Sequence, residues 1–344
     1  MKLALAAAFA LEAASTVHAI AVGTIDPAKK MKRSHFENLV KRQSFTTGNA
    51  SDSTVLSNAL VLQHLEANFY TEGLAKFDQN SFDQAGYYNL RPLLEQVAQD
   101  EAEHVNFFTT ALKAANISAV QACNYTFPYE DVSGFLRLAQ VLENVVVSAF
   151  LGAVTSVPTC PRPRSEAGAG AIDNSLYPGA PATILTVDAR HSAFFNFLRR
   201  ESPFPFPMDT PLSERAVVTV LKQFTESCPS GSAPKIAPFP ALNFTSSEFF
   251  SDGKVFVAPV EASAVNLNAT VYCGFALGLG ANFSVWSNGS CDVPTQIIID
   301  KGQTYIFLTK EQSVADESVL AGPATFSLSS QNVTVSIPNA TLYT

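Results

Sequence analysis

The chain has 344 residues, of which 47% are hydrophobic and 15% are charged, and its formal net charge is −8. This composition describes a globular chain with a sizeable core and excludes an intrinsically disordered protein. The length suggests about two domains. The acidic balance disfavours nucleic acid and anionic membrane as partners, because both repel a negative surface.

The N-terminus has the pattern of a secretory signal peptide over residues 1–19, with Lys2, an apolar stretch and a small-residue cleavage site. That stretch is too short to span a bilayer, and no later run is long and uncharged enough, so we expect no membrane anchor. Residues 20–42 end in a dibasic pair, which predicts a propeptide; otherwise they are a charged tail. Removal of residues 1–42 takes away seven basic and three acidic residues, which leaves a net charge of −12.

Two further features indicate export. Five cysteines suggest two disulfides; Cys273 and Cys291 are the predicted pair, and the pairing among Cys123, Cys160 and Cys228 stays open. Nine Asn-x-Ser/Thr sequons predict a secreted eukaryotic glycoprotein, located outside the cell or in the cell wall. The sequon residues are Asn49, Asn116, Asn124, Asn243, Asn268, Asn282, Asn288, Asn332 and Asn339.

The first half of the chain is predicted to be helical. Apolar residues recur three or four positions apart in four long segments and in a shorter fifth one. We expect these helices at residues 53–77, 92–115, 130–155, 182–200 and 213–225. The connection 155–181 is rich in Pro, Gly and Ser and is interpreted as a surface loop, with a lid over a site as the alternative.

The residue composition and the hydrophobic pattern change after residue 228. Residues 229–240 are a proline-rich linker, and residues 241–344 contain period-two runs that predict short strands. Such strands are typical of a small sandwich of the immunoglobulin type. We expect strands at residues 255–258, 269–274, 282–286, 304–308 and 332–337.

Six ionisable residues interrupt the apolar faces of the four long helices. In the second and fourth helices a carboxylate precedes a histidine by three residues, which places both side chains on one face. The first and third helices each carry one glutamate on the apolar face. The six residues are Glu66, Glu101, His104, Glu143, Asp188 and His191.

The charge of this set predicts a metal site. Four uncompensated buried carboxylates cost on the order of ten kcal/mol or more, comparable with the net stability of a domain. Two divalent cations would neutralise them, and two imidazoles would complete the coordination. Mixed carboxylate and imidazole ligands suit Fe or Mn better than calcium. Taken singly, a glutamate such as Glu66 or Glu143 is more often a partly exposed or salt-bridged residue than a metal ligand.

The remaining candidates are fewer. His64 falls off the inward face and is interpreted as a solvated surface residue. Tyr70, one turn after Glu66, lies either beside the site or at the edge of the core. A three-histidine zinc site lacks ligands, and a Ser-His-Asp hydrolase lacks the Gly-x-Ser-x-Gly turn.

Five segments resemble the ferritin-like domain of secreted fungal stress-response and sexual-development proteins, which bacterial desiccation-related proteins share. They are residues 65–77, 100–107, 141–150, 184–191 and 205–212. The resemblance covers roughly residues 50–225 and extends to the β tail. It implies a ferritin-like four-helix bundle, placed at residues 50–228, followed by the small all-β domain at 241–344. It implies the same six residues as ligands of two metal ions. The family usually has Glu where this chain has Asp188, whose side chain is one methylene shorter.

Two functions are compatible with this sequence. The first is a redox role, in which bound Fe or Mn reacts with oxygen or peroxide. The second is a non-catalytic protective or cell-wall protein with glycan or protein partners, in which the metal is structural or absent. Storage of metal in a shell is disfavoured, because a glycosylated β domain would obstruct assembly.

Overall fold

The computed structural model describes residues 50–156, 180–245, 253–261, 263, 266, 269–295 and 302–327. Several predictions fall outside these ranges. They are the signal peptide, the propeptide, most of the 155–181 connection, the strand at 332–337, Cys160, and the sequons at Asn49, Asn268, Asn332 and Asn339.

The predicted helices are all present, and each end lies within a few residues of its predicted position. Among the described helices, only the short second one was not predicted. Asp78 caps it by accepting a hydrogen bond from the Ser81 amide at 2.8 Å. The helices are α1 Ala50–Lys76, α2 Gln79–Gln84, α3 Arg91–Ala114, α4 Val132–Ser156, α5 Ala180–Leu198 and α6 Glu214–Lys222.

The four long helices form a bundle in which α1 packs against α3, and α4 against α5. Buried apolar side chains from all four fill its centre. Aromatic rings close one end, where Phe69 stacks on Phe135 with ring centroids 4.9 Å apart. Gly73 lets this ring approach, since a Cβ there would lie 2.1 Å from Phe135.

The helix α4 is apolar enough to cross a membrane by length and composition alone, over Val132–Ala153. No such segment was expected from the sequence. In the structure 61% of that segment is buried inside the protein, as expected for the core helix of a bundle. This helix contacts α1, α5 and α6, and its Ser148 lies within hydrogen-bond distance of Tyr305 in the β region.

The rest of the described chain forms antiparallel sheets. The strands β1 Asn124–Tyr125 and β2 Thr225–Ser227 pair with each other beside the bundle. The next seven form two sheets, in the orders β3-β4-β7 and β6-β5-β8-β9. These strands are β3 Leu242–Phe244, β4 Lys254–Pro259, β5 Tyr272–Leu277, β6 Gly280–Val285, β7 Ser290–Asp292, β8 Gln303–Thr309 and β9 Val319–Ser327. A helical region followed by a β region confirms the predicted architecture.

The four-stranded sheet is covered on both faces, which explains why every residue of β8 is buried. Tyr305 and Phe307 belong to the core of the bundle, whereas Ile306 and Leu308 belong to a second core between the sheets. Side chains alternate between the faces of a strand. The β region therefore rests directly on the helices.

Two disulfides stabilise the described part of the chain. Cys273 is bonded to Cys291 across the β region. Cys123 is bonded to Cys228, which settles the pairing that the sequence left open and ties the segment after α3 to the residue that follows β2. The proline-rich residues 229–240 also contact the bundle, because the Phe239 amide donates to Thr219 Oγ1 at 2.9 Å.

The chain between α5 and α6 crosses α4 at close range. The Leu212 amide donates to the Ser148 carbonyl at 3.0 Å, and a Cβ at Gly152 would lie 1.7 Å from the Leu212 carbonyl oxygen. A backbone atom cannot move away as a flexible side chain can. The crossing therefore requires glycine at position 152.

We expect Gly152→Ala to lower the free energy of unfolding by about 1–3 kcal/mol, because the added methyl overpacks the crossing. This is opposite to the effect of helix propensity, which favours alanine. Gly280→Ala is the matched control, since a Cβ there meets nothing within 4 Å and its change should stay within about 0.5 kcal/mol. Denaturant unfolding measures both, and equal stability of the two variants would contradict the crossing.

Candidate metal centre

All six predicted residues lie inside the bundle, with four helices contributing. Glu66 is on α1, Glu101 and His104 on α3, Glu143 on α4, and Asp188 and His191 on α5. The four carboxylates have no exposed surface, and the histidines retain 7–8%. The helical spacing that predicted the site thus places all six side chains toward the centre.

Four of these residues converge on one point. Ligand atoms of Glu101, Glu143, Asp188 and His191 all lie within 4.8 Å of one another. Nδ1 of His191 is 3.1 Å from Glu101 Oε1 and 3.5 Å from Glu143 Oε2. Such a cluster of three carboxylates and an imidazole matches the size of a coordination sphere.

The remaining two residues extend the cluster. His104 Nδ1 is 3.0 Å from Glu101 Oε2 and 3.6 Å from Asp188 Oδ1. Glu66 interacts electrostatically with Glu101, Glu143 and Asp188. Glu101 is therefore central, because one of its oxygens faces His191 and the other faces His104.

The cluster leaves polar atoms without hydrogen-bond partners, as measured over the part of the chain that the structure describes. The buried atoms without a partner are Glu66 Oε1, Glu101 Oε1, Glu143 Oε2, Asp188 Oδ1, Asp188 Oδ2 and His191 Nδ1. The atoms of Glu101, Glu143, Asp188 and His191 face one another at short range, and His191 Nδ1 meets Glu101 Oε1 as an ion pair at 3.1 Å. Unpaired buried polar atoms are rare in proteins and costly. The residues present therefore fit a divalent cation.

Two comparisons with known proteins agree with this geometry. A family model described as a ferritin-like domain matches residues 51–161. The protein named Protein rds1 from Schizosaccharomyces pombe is 27% identical over 197 residues, which is 57% of this chain and 44% of that protein. The helical region of this chain is ferritin-like. The chain spans less than half the length of its fungal relative.

The family match covers only part of the ferritin-like domain. Glu66, Glu101, His104 and Glu143 lie inside the matched residues, whereas Asp188 and His191 lie beyond them on α5. The helix α5, which lies outside the matched residues, packs against α4 as the fourth helix of the bundle. The fourth helix thereby adds the second carboxylate–histidine pair to the same cluster.

Three residues that support the ligands were not assigned from the sequence. Tyr70, which stayed open, is buried and donates to Glu143 Oε1 at 2.5 Å. Gln63 donates to Glu66 Oε2 at 2.8 Å, and Asp100 Oδ2 lies 3.4 Å from His191 Nε2. Gln63 and Tyr70 lie one turn on either side of Glu66, and this spacing is visible in the sequence of α1.

Asp100 gives His191 a defined orientation. With Nε2 directed to this carboxylate, Nδ1 faces Glu101 and Glu143. A carboxylate behind a ligating histidine fixes the tautomer and raises the basicity of the ligand nitrogen. Gln96 in turn donates to Asp100 Oδ1 at 2.9 Å, so the carboxylate itself is held in place.

One histidine prediction was wrong. His64 is half-buried, not solvated, and its Nε2 lies 3.1 Å from the Val120 carbonyl oxygen. Burial lowers the pKa of His64, which favours the neutral ring. It nevertheless lies off the cluster, as its position on α1 indicated.

The electrostatics of the cluster reflect crowded carboxylates. Burial and the neighbouring carboxylates raise the pKa values of Glu66 and Asp188 well above the ordinary 4.5 and 3.8. Burial also raises the pKa of Glu143, although His191 opposes this effect. Burial acts upward on Glu101 as well, but hydrogen bonds and charge from His104 and His191 outweigh it and lower its pKa.

His191 completes this balance. Burial acts to lower its pKa, but Glu143, Asp100 and Glu101 together hold the pKa well above the ordinary 6.5. In the metal-free protein a protonated His191 therefore compensates part of the carboxylate charge. Two carboxylates with raised pKa values, Glu66 and Asp188, remain protonated above the pH at which unfolded acids ionise.

We expect the stability of the metal-free protein to depend on pH through Asp188. Above about pH 4 the unfolded chain loses this proton while the folded chain keeps it, so stability falls by about 1.4 kcal/mol per pH unit until the raised pKa is passed. Asp188→Asn removes this contribution. The variant should gain stability relative to the wild type as the pH rises from 4 to 7 in chelator-treated samples. Parallel pH profiles in denaturant unfolding would contradict the assigned shift.

Proposed function

We propose that this protein is an exported glycoprotein whose ferritin-like domain binds two divalent metal ions, Fe or Mn, and supports redox chemistry with oxygen or peroxide during stress or development. The observation that carries the metal proposal is the convergence of buried oxygens and an imidazole nitrogen without hydrogen-bond partners. Bound iron or manganese would supply the electron transfer to oxygen or peroxide.

The proposed ligands are Glu66, Glu101, His104, Glu143, Asp188 and His191. Glu101 faces both histidines, so it would hold metal together with either of them. Tyr70 holds Glu143 by one oxygen and leaves Oε2 directed at the cluster. Burial and Glu143 raise the pKa of Tyr70 well above 10, so the phenol stays a neutral donor.

The export part of the proposal rests on the sequence pattern and on surface chemistry. Two disulfides are consistent with an oxidising compartment. Five sequon asparagines lie in the described ranges and all are exposed, as a glycan requires: Asn116, Asn124, Asn243, Asn282 and Asn288. The role in stress or development follows from the family resemblance.

A non-catalytic role is the second candidate, and the burial of the site favours it. None of the six proposed ligands has more than 8% of its surface exposed, which restricts the approach of a substrate. The ion pairs between the histidines and the carboxylates also compensate charge without a metal. In that case the metal is structural or absent, and the protein protects the cell surface through cell-wall glycans or proteins.

Metal analysis of the purified protein tests the site. We expect about two Fe or Mn ions per chain. Glu101→Gln should weaken binding of Mn(II) by more than about 100-fold, because the loss of a ligand exceeds the 10–100-fold loss that follows removal of a supporting group. Glu103→Gln is the matched control on the same helix, since this half-buried carboxylate lies outside the cluster. Equal affinities of the two variants would contradict the ligand assignment.

Oxidation of Fe(II) separates the two candidate functions. After Fe(II) is added with peroxide or oxygen, the redox role predicts repeated turnover, seen as growth of ferric absorbance beyond the amount of bound iron. The structural role predicts at most one oxidation of the bound ions. Glu101→Gln should abolish turnover, and Glu103→Gln should retain it.

A further inference from the structure

The strand β8 contacts the backbone of α4 at the turn that carries Glu143. Gln303 Nε2 donates to the Val141 carbonyl at 3.3 Å, and the Tyr305 hydroxyl donates to the Asn144 carbonyl at 3.2 Å. These two carbonyls flank residue 143 along the helix. The β region thus binds α4 beside a proposed metal ligand.

The contact is a polar network within an apolar interface, in which Gln303 Oε1 alone has no hydrogen-bond partner among these side-chain atoms. Tyr305 is 1% exposed, and Gln303 is 8% exposed. The Tyr305 hydroxyl also lies 2.8 Å from Ser148 Oγ and accepts from Gln303 Nε2 at 3.1 Å. One hydroxyl donor and two acceptor positions are therefore all used, which fixes the phenol in one orientation.

These hydrogen bonds constrain α4 in a way that apolar packing does not. Each carbonyl already accepts a bond within the helix, and its second lone pair accepts the bond from β8. Because hydrogen bonds are directional, two of them about one turn apart fix the rotation of the helix about its axis and its position along that axis. Apolar contacts between α4 and the sheet would tolerate small sliding.

Glu143 is consequently held from two sides. Tyr70 on α1 binds its carboxylate, and β8 binds the backbone carbonyls of residues 141 and 144 on either side of it. Metal sites depend on supporting groups of this kind, because displacements of less than 1 Å change coordination. The β region supplies such a support from outside the bundle.

We infer that Gln303 and Tyr305 are positioning residues for the metal centre. Through them the β region holds Glu143 in place, so metal binding depends on the β region as well as on the helices. The inference rests on the proposed metal binding. Thermodynamic linkage then requires the reverse effect, in which bound metal stabilises the docking of β8 on α4.

The test uses the full-length protein and the double variant Gln303→Leu/Tyr305→Phe, which keeps the bulk of both side chains and removes the network. We expect Mn(II) to bind this variant about 10–100-fold more weakly than the wild type. Thr304→Val is the matched control, because Thr304 is buried on the opposite face of the same strand. Its Mn(II) affinity should equal that of the wild type.

Amide hydrogen exchange gives a second readout that a merely structural role would not change. In the wild type, Mn(II) should slow exchange in residues 303–309 as well as in the helices. In the double variant the helices should still respond, and residues 303–309 should not. Circular dichroism of each variant checks that the fold is retained.

The outcomes distinguish the inference from the proposed function. Unchanged Mn(II) affinity in the double variant, or no response of residues 303–309 in the wild type, would overturn the positioning role while metal binding stands. A wild-type protein that binds no metal would overturn both. An equal loss of affinity in Thr304→Val would show a general loss of stability and would also overturn the inference.

Discussion

The bundle depends on the balance of charge at its centre. Four carboxylates without exposed surface lie around two histidines, and no described lysine or arginine side chain is paired with them in the structure. In the metal-free protein the compensation comes from protonated His191 and from carboxylic acids with raised pKa values. Whether protons or metal ions compensate the charge, the four long helices must bring these side chains to the same place. The cluster therefore constrains the position of each long helix.

The cluster was predictable because its signal is local. In a helix, a carboxylate three residues before a histidine places both side chains on the same face. In a four-helix bundle, the apolar faces of all four helices point to one interior, so these groups meet there. The same argument explains the accuracy of the long helices. The partners Asp100 and Tyr70 could not be assigned with equal certainty, because their role depends on distances between helices, not on spacing within one.

The β region was less predictable for a different reason. An alternating pattern indicates a strand with one polar face, but β8 is buried on both faces and carries Gln303 and Tyr305 toward the helices. The sequence does not show that the hydrogen-bond acceptor of Gln303 is a backbone carbonyl of α4, 162 residues earlier in the chain. The short strands β1, β2, β3 and β7 were missed because two or three residues carry too little pattern. The longer β9 was missed because Gly322 and Pro323 interrupt its alternation.

The apolar character of α4 has a consequence for the making of this protein. A segment of 22 residues with a mean hydropathy of 1.4 resembles a membrane anchor while it is still unfolded in a translocation channel. Glu143 lies at the middle of this segment, where an acidic side chain opposes partition into lipid by a few kcal/mol. If the chain is exported as proposed, the same acidic residue that belongs to the buried cluster would also direct α4 through the membrane instead of into it.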